Sequence, residues 1–178
     1  MRSKNQSFIL KLCYAAVCLA LCMVLPFLTG QIPQIGSMLS PMHIPVLLAG
    51  YLCGPWWAAA VGVIAPLLRH AIFSMPPLMT ALAMCFELTA YGIIAGVLYR
   101  KLPKRPSSVY ISLLSAMVGG RIVWGIASFI IQRLNGSSFT LQMFFAGAFA
   151  QAIPGIILHI LLIPVIVIAL QKANIIRS

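Results

Sequence analysis

The sequence almost lacks acid. Glu87 is the only Asp or Glu in 178 residues, and just 7% of the chain is charged. One carboxylate cannot supply the paired acid and base of hydrolytic chemistry, nor an oxygen-rich metal cage. No GxxxxGK[ST] phosphate loop, HExxH pair or Ser-His-Asp set occurs. No polar stretch exceeds about ten residues, too little for a soluble domain. The five cysteines, Cys13, Cys18, Cys22, Cys53 and Cys85, form no CxxC pair. No His stands at ligand spacing from them, so they read as buried thiols acting as small hydrophobes.

What the chain has is apolar surface. It is 62% hydrophobic, whereas soluble proteins run nearer half apolar and a quarter charged. Long apolar runs recur from end to end, which identifies an all-α integral membrane protein, a single domain over 1–178. The net charge of +11 sits mostly in short segments flanking those runs. Membrane orientation explains it better than nucleic acid. The N-terminus mimics a secretory leader, but "LCYAAVCLALCMVLPFL" is long and lacks an A-x-A site, so it reads as a retained first helix.

Runs and breakers predict six spans, at about 8–28, 41–53, 55–73, 77–99, 109–133 and 140–171. The second is short: its length as helix is about 20 Å against a hydrocarbon core of about 30 Å. Charge parity nevertheless requires it. Arg2, Lys4 and Lys11, then Arg100, Lys101, Lys104 and Arg105, then Lys172 and Arg177 form three basic segments. The positive-inside rule puts all three in the cytoplasm, together with both termini. The loops expected outside, 29–40, 74–76 and 134–139, hold no Lys or Arg. Pairs at small-x-x-x-small spacing, including Gly50/Gly54, Ala58/Gly62 and Gly92/Gly96, predict close packing between these helices.

Three charges fall inside predicted spans: Arg69, Glu87 and Arg121. A charge at that depth costs several kcal/mol unless paired or hydrated. Glu87 and Arg121 lie near mid-depth, and Arg69 about one turn below the outer surface, so depth makes Arg121 the expected partner of Glu87. Two readings stay open. One is a structural ion pair fixing the fourth helix on the fifth. The other is an outward-open polar cavity holding a ligand, favoured because one carboxylate cannot neutralise two arginines. Trp124 shares a face with Arg121, Gln151 lies half-way down the sixth span, and Asn135 and Gln34 lie near the mouth. Tyr91 completes the candidate set. Trp56 and Trp57 read as interfacial anchors. His43, His70 and His159 read as hydrogen-bonded packing residues.

Four stretches carry a family resemblance: "PMHIPVLLAGYLCGPWWAAAVGVIAPLL", "MPPLMTALAMCFELTAYGIIAGVLYR", "GGRIVWGIA" and "AGAFAQAIPGIILHILLIPVIVIAL". With six spans and basic cytoplasmic ends, the chain resembles the S components of energy-coupling factor (ECF) vitamin transporters, over essentially its whole length. The branch it resembles includes proteins assigned to pantothenate, to other vitamins and to queuosine precursors.

The resemblance implies an S-component bundle that binds a scarce vitamin from outside. It then joins a transmembrane coupling protein and two cytoplasmic ATPases, and topples to release the ligand inward. ATP and Mg would belong to those partners, and this chain would hold no cofactor. Ala16 and Ala20 match the family's Ala-x-x-x-Ala coupling surface, and "TGQIPQIGSM" occupies the position of its lid loop. Pantothenate is the favoured ligand, with a queuosine precursor or cobalamin as alternatives and a bacterial cell membrane as the location. Readings from other classes are a small facilitator or exporter working alone, and an intramembrane enzyme or assembly factor. The first is disfavoured by the lack of internal repeats and of a continuous polar stripe, the second by the lack of an acid–base set.

Overall fold

The computed structural model describes residues 4–29, 32–103, 105–136, 140–147 and 152–176. Among them the chain is helical: α1 (Lys4–Val24), a 3₁₀ turn (Leu25–Thr29), α2 (Pro33–Leu39), α3 (His43–Leu52), α4 (Pro55–Phe73), α5 (Leu78–Lys101), α6 (Pro106–Leu134), α7 (Leu141–Phe145) and α8 (Ile153–Lys172). Prolines open α2, α4 and α6, where a missing N–H costs nothing. Pro26 stops α1, because its ring clashes with the carbonyl one turn back.

Five segments are long and apolar enough to cross a membrane: Asn5–Leu28, Pro55–Phe73, Leu78–Lys101, Pro106–Leu134 and Ile153–Lys172. Their outward faces carry exposed Phe, Ile, Leu and Val, including Phe8, Phe86, Ile126 and Leu161. Such surface would be unstable in water and suits lipid.

α3 corrects the expected second span. It has ten residues, about 15 Å of helix, half the hydrocarbon thickness. Every residue from His43 to Tyr51 is buried, and α1, α4, α5 and α8 pack around it. Its ends fix its depth. His43 meets Glu87 in the middle of α5. At the other end, Arg100 Nη2 donates to the Cys53 carbonyl at 3.1 Å. Thus α3 fills only the half of the bundle nearer the basic residues Arg100, Lys101 and Arg105, here called the basic end. The chain reaches the start of α3 from the far end by way of α2, whose last turn lies on Gly155 of α8; a Cβ there would come 2.5 Å from the Met38 carbonyl oxygen. A half-helix preceded by a folded-over segment therefore replaces the single expected crossing.

The described residues of the helix expected over 140–171 include two α-helical elements. α7 ends at Phe145 and α8 begins at Ile153.

Small residues let α3, α4 and α5 touch backbone to backbone. A Cβ on Gly92 would lie 2.7 Å from the Ala58 Cβ, and one on Gly62 would lie 2.8 Å from the Leu88 carbonyl carbon. A Cβ on Gly50 would meet the Gly92 carbonyl oxygen at 3.0 Å. Gly54 is required twice: its φ is +96°, and the Arg100 guanidinium fills the space a side chain would need. These contacts set α3 parallel to α5 and α4 antiparallel to it. Pro66 and Pro164 lie buried within α4 and α8 without ending them.

Candidate functional site

The site begins with the helical ruler. At 1.5 Å per residue, Glu87 in α5 and Arg121 in α6 come to the same depth, and these two helices pack along their length. Arg121 Nη1 lies 3.0 Å from Glu87 Oε1. The Glu87 side chain is 2% exposed, so the pair is a buried one. His43, the first residue of α3, brings Nε2 to 3.3 Å from the same oxygen. The imidazole stands edge-on to Tyr91, with centroids 5.0 Å apart, and stacks on His159 at 5.9 Å. Three helices, α3, α5 and α6, thus meet at one carboxylate oxygen, and α8 backs the imidazole through His159.

The contacts are close but poorly aligned. Among the described residues, Glu87 Oε1, both ring nitrogens of His43, Arg121 Nε and His159 Nε2 have no hydrogen bond of good geometry. Buried polar atoms in folded proteins are nearly all satisfied. Arg121 and His43 nevertheless both stand within 3.3 Å of Glu87 Oε1, so the polar atoms of this region are gathered around one buried carboxylate.

A cavity of about 820 Å³ opens onto this centre, a volume typical of small-molecule sites. Glu87, His43 and Arg121 lie at its deep end. Its walls are Met84 and Thr80 of α5, Trp124 of α6, Met38 and Gly36 of α2, and Pro26 of the 3₁₀ turn. Ser74, Met75, Pro76 and Pro77, between α4 and α5, form its rim at the far end. Toward the basic end the bundle is closed by packed polar side chains. Tyr51 meets Ser112 at 3.1 Å and lies edge-on to Tyr99, whose hydroxyl accepts from Gln171.

Arg69 is separate from the Glu87 centre. It lines the same cavity but stands farther from the basic end. Nη1 donates to the Met23 carbonyl at 2.8 Å, and the guanidinium lies 5.3 Å from the Phe27 ring centroid and 5.1 Å from that of Phe73. The residue is 4% exposed.

The remaining candidates divide. Trp124 lines the cavity and stacks on Phe144 of α7. Tyr91 is buried beside His43 and against Gly120, outside the lining. Asn135 is exposed at the end of α6 and donates to Met79 Sδ at 3.1 Å, beside the rim but outside the lining. Gln34 belongs to α2, with its side chain outside the described set, and Gln151 lies outside the described residues. Ala16 and Ala20 sit on the exposed face of α1. Sequence reasoning missed His43 as a direct neighbour of Glu87. The sole signal was a histidine set between Pro41 and Pro45 at the head of an apolar run. Among the described residues, no group of three or more His, Cys, Asp or Glu could hold a metal ion.

A multi-span helical bundle with a charged cavity at mid-depth, open at one end and closed at the other, is a membrane protein built to bind a small solute. Residues 10–167 match the family described as "ECF transporter, substrate-specific component", and the chain belongs to that family. It is therefore a multi-pass membrane protein that binds substrate for the ECF machinery and does not itself catalyse a reaction. Comparison with curated proteins gave no match, nor did comparison with solved structures.

Proposed function

We propose that this chain captures a small vitamin, pantothenate first among candidates, from the outer face of a cell membrane. It then presents the vitamin to a transmembrane coupling protein and two cytoplasmic ATPases. The observation that carries this reading is the cavity of about 820 Å³ holding two arginines against a single carboxylate. A solute with an anionic group balances that excess of positive charge. Glu87, Arg121, His43, Arg69 and Trp124 are the ligand contacts. The volume suits a small vitamin or a queuosine precursor better than cobalamin.

The basic end faces the cytoplasm, as do both termini, because Lys and Arg are retained on that side. The cavity then opens outward. α1 offers Ala16 and Ala20 on its exposed face, where small side chains allow close approach of a partner helix.

The test is calorimetric titration of the purified protein with pantothenate, accompanied by mass spectrometry of co-purified small molecules. Saturable binding that disappears in Glu87→Ala, with the variant still folded in detergent, is the expected result. Unchanged affinity in that variant removes Glu87 from the site. Sustained accumulation or efflux by liposomes holding this chain alone would favour a stand-alone facilitator or exporter.

A further inference from the structure

We infer that the cavity reads its ligand at two depths, with Arg69 as the subsite for a carboxylate and Glu87–His43 as the subsite for a neutral hydrogen-bonding end. The inference rests on the cavity being the ligand site proposed above. It names the ligand class as a small monoacid bearing a hydroxyl, amide or ring N–H well separated from its carboxylate.

Depth separates the two subsites. Gly62 of α4 faces Leu88 and Thr89 of α5, which puts Gly62 at the level of Glu87. Arg69 follows about two turns later, roughly 10 Å nearer the far end. Its contact with Phe73, one further turn along α4, holds the guanidinium at that outer level.

Charge separates them too. Arg121 Nη1 already lies 3.0 Å from Glu87 Oε1. A ligand carboxylate placed there would stand beside Glu87 and meet like-charge repulsion. Arg69 has no such neighbour. Glu87, the only acid in the chain, is taken up by its ion pair with Arg121 and its contact with His43. Among the described residues the hydrogen bond of Arg69 is a single one, to the Met23 carbonyl, whereas a guanidinium offers five N–H donors. Phe27 and Phe73 pack on it. Aromatic packing of this kind stabilises the charge and fixes the plane of the fork, which suits bidentate capture of a carboxylate. At the deep end Glu87 is an acceptor beside an imidazole, which suits a hydroxyl, amide or ring N–H. Between the two ends the wall is mostly apolar, from Met38, Met84 and Trp124, with Thr80 near the Arg69 level.

A purely mechanical role for Arg69, clipping α1 to α4, is the competing account, and the two differ in one readout. The purified full chain is titrated with acid and neutral partners of two vitamins: pantothenate with pantothenol, and biotin with biotinamide. An acid should bind at least about tenfold more tightly than its neutral partner. Arg69→Gln should weaken that acid by roughly 10- to 100-fold, the range of a lost charge-assisted hydrogen bond, while leaving the neutral partner within about threefold.

A preference confined to the biotin pair keeps the anion subsite and ends the pantothenate reading. Equal affinity for acid and neutral partners in the unmodified chain overturns the subsite, as does failure of every acid to bind. Equal weakening of both partners in Arg69→Gln also overturns it and leaves the clip. If Arg69→Gln does not purify folded, Arg69→Lys decides. Retained binding of the neutral partner with a reduced acid preference supports the subsite. Equal loss of both overturns it.

Discussion

At the scale of single residues, the buried pair of Glu87 and Arg121 sets the energetics. Either charge is costly alone at mid-depth: removing one partner of a buried pair costs about 3–5 kcal/mol, because the other is left uncompensated. Arg121→Met should therefore lower the unfolding temperature in detergent sharply. Adding Glu87→Gln to the same chain should recover more than half of that loss, since the stranded carboxylate is gone. Ligand binding should not return in the double variant, because the polar centre has been removed with the charge. Thermal unfolding and titration on the three proteins check both statements. A double variant no more stable than Arg121→Met would show that the two groups are not coupled. His43 should act differently. His43→Ala removes a ring that touches Tyr91 and His159 as well as Glu87, so it should weaken both stability and binding.

At the scale of elements, the interface of α3, α4 and α5 depends on missing side chains. Gly62 and Gly92 face backbone atoms or a Cβ, none of which can swing aside. Gly62→Ala and Gly92→Ala should each destabilise the bundle by about 1–3 kcal/mol, the usual cost of overpacking. Gly119 is the control. A Cβ there meets the end of the Ile94 side chain, Cδ1 at 2.4 Å, and an isoleucine can change rotamer. Gly119→Ala should be close to neutral, helped by the better helix propensity of alanine. Melting temperatures of the three variants in one detergent test the contrast. Part of this interface was visible beforehand: the spacing of Ala58/Gly62 and Gly92/Gly96 announced close packing, and those four residues lie between α3, α4 and α5. The same spacing at Ala16 and Ala20 belongs to an exposed face of α1. Spacing alone cannot separate the two cases, because it reports a smooth helix face and not what covers it.

At the scale of the whole molecule, the asymmetry between a basic end carrying Arg100, Lys101, Arg105 and Lys172 and a far end whose described basic residues are Arg69 and Arg133 gives the bundle a direction. Cysteines placed at Leu134 and Arg105, in a chain whose exposed Cys13 has been replaced, should report it. A membrane-impermeant maleimide should label the Leu134→Cys protein in intact cells, and the Arg105→Cys protein only after permeabilisation. The reverse pattern would turn the cavity inward. Ala16→Trp with Ala20→Trp should leave ligand affinity within about twofold, since both residues lie outside the cavity lining. The same pair should abolish ATP-driven uptake and co-purification with the coupling protein, by spacing the helices apart.

The sequence by itself determined the membrane class, the five long helices and the common depth of Glu87 and Arg121. These follow from local quantities: apolar runs of a certain length, basic flanks, and a fixed rise per residue that converts position into depth. Tertiary structure alone decided the rest. α3 is as apolar as a span but half as long, and only its packing among α1, α4, α5 and α8 places His43 against Glu87. Arg69 was legible as a shallow charge, but its partners, a carbonyl of α1 and rings from the 3₁₀ turn and α4, exist only once those elements meet. Depth along one helix is written in its own residues, whereas the neighbours of a side chain are set by how separate helices approach one another.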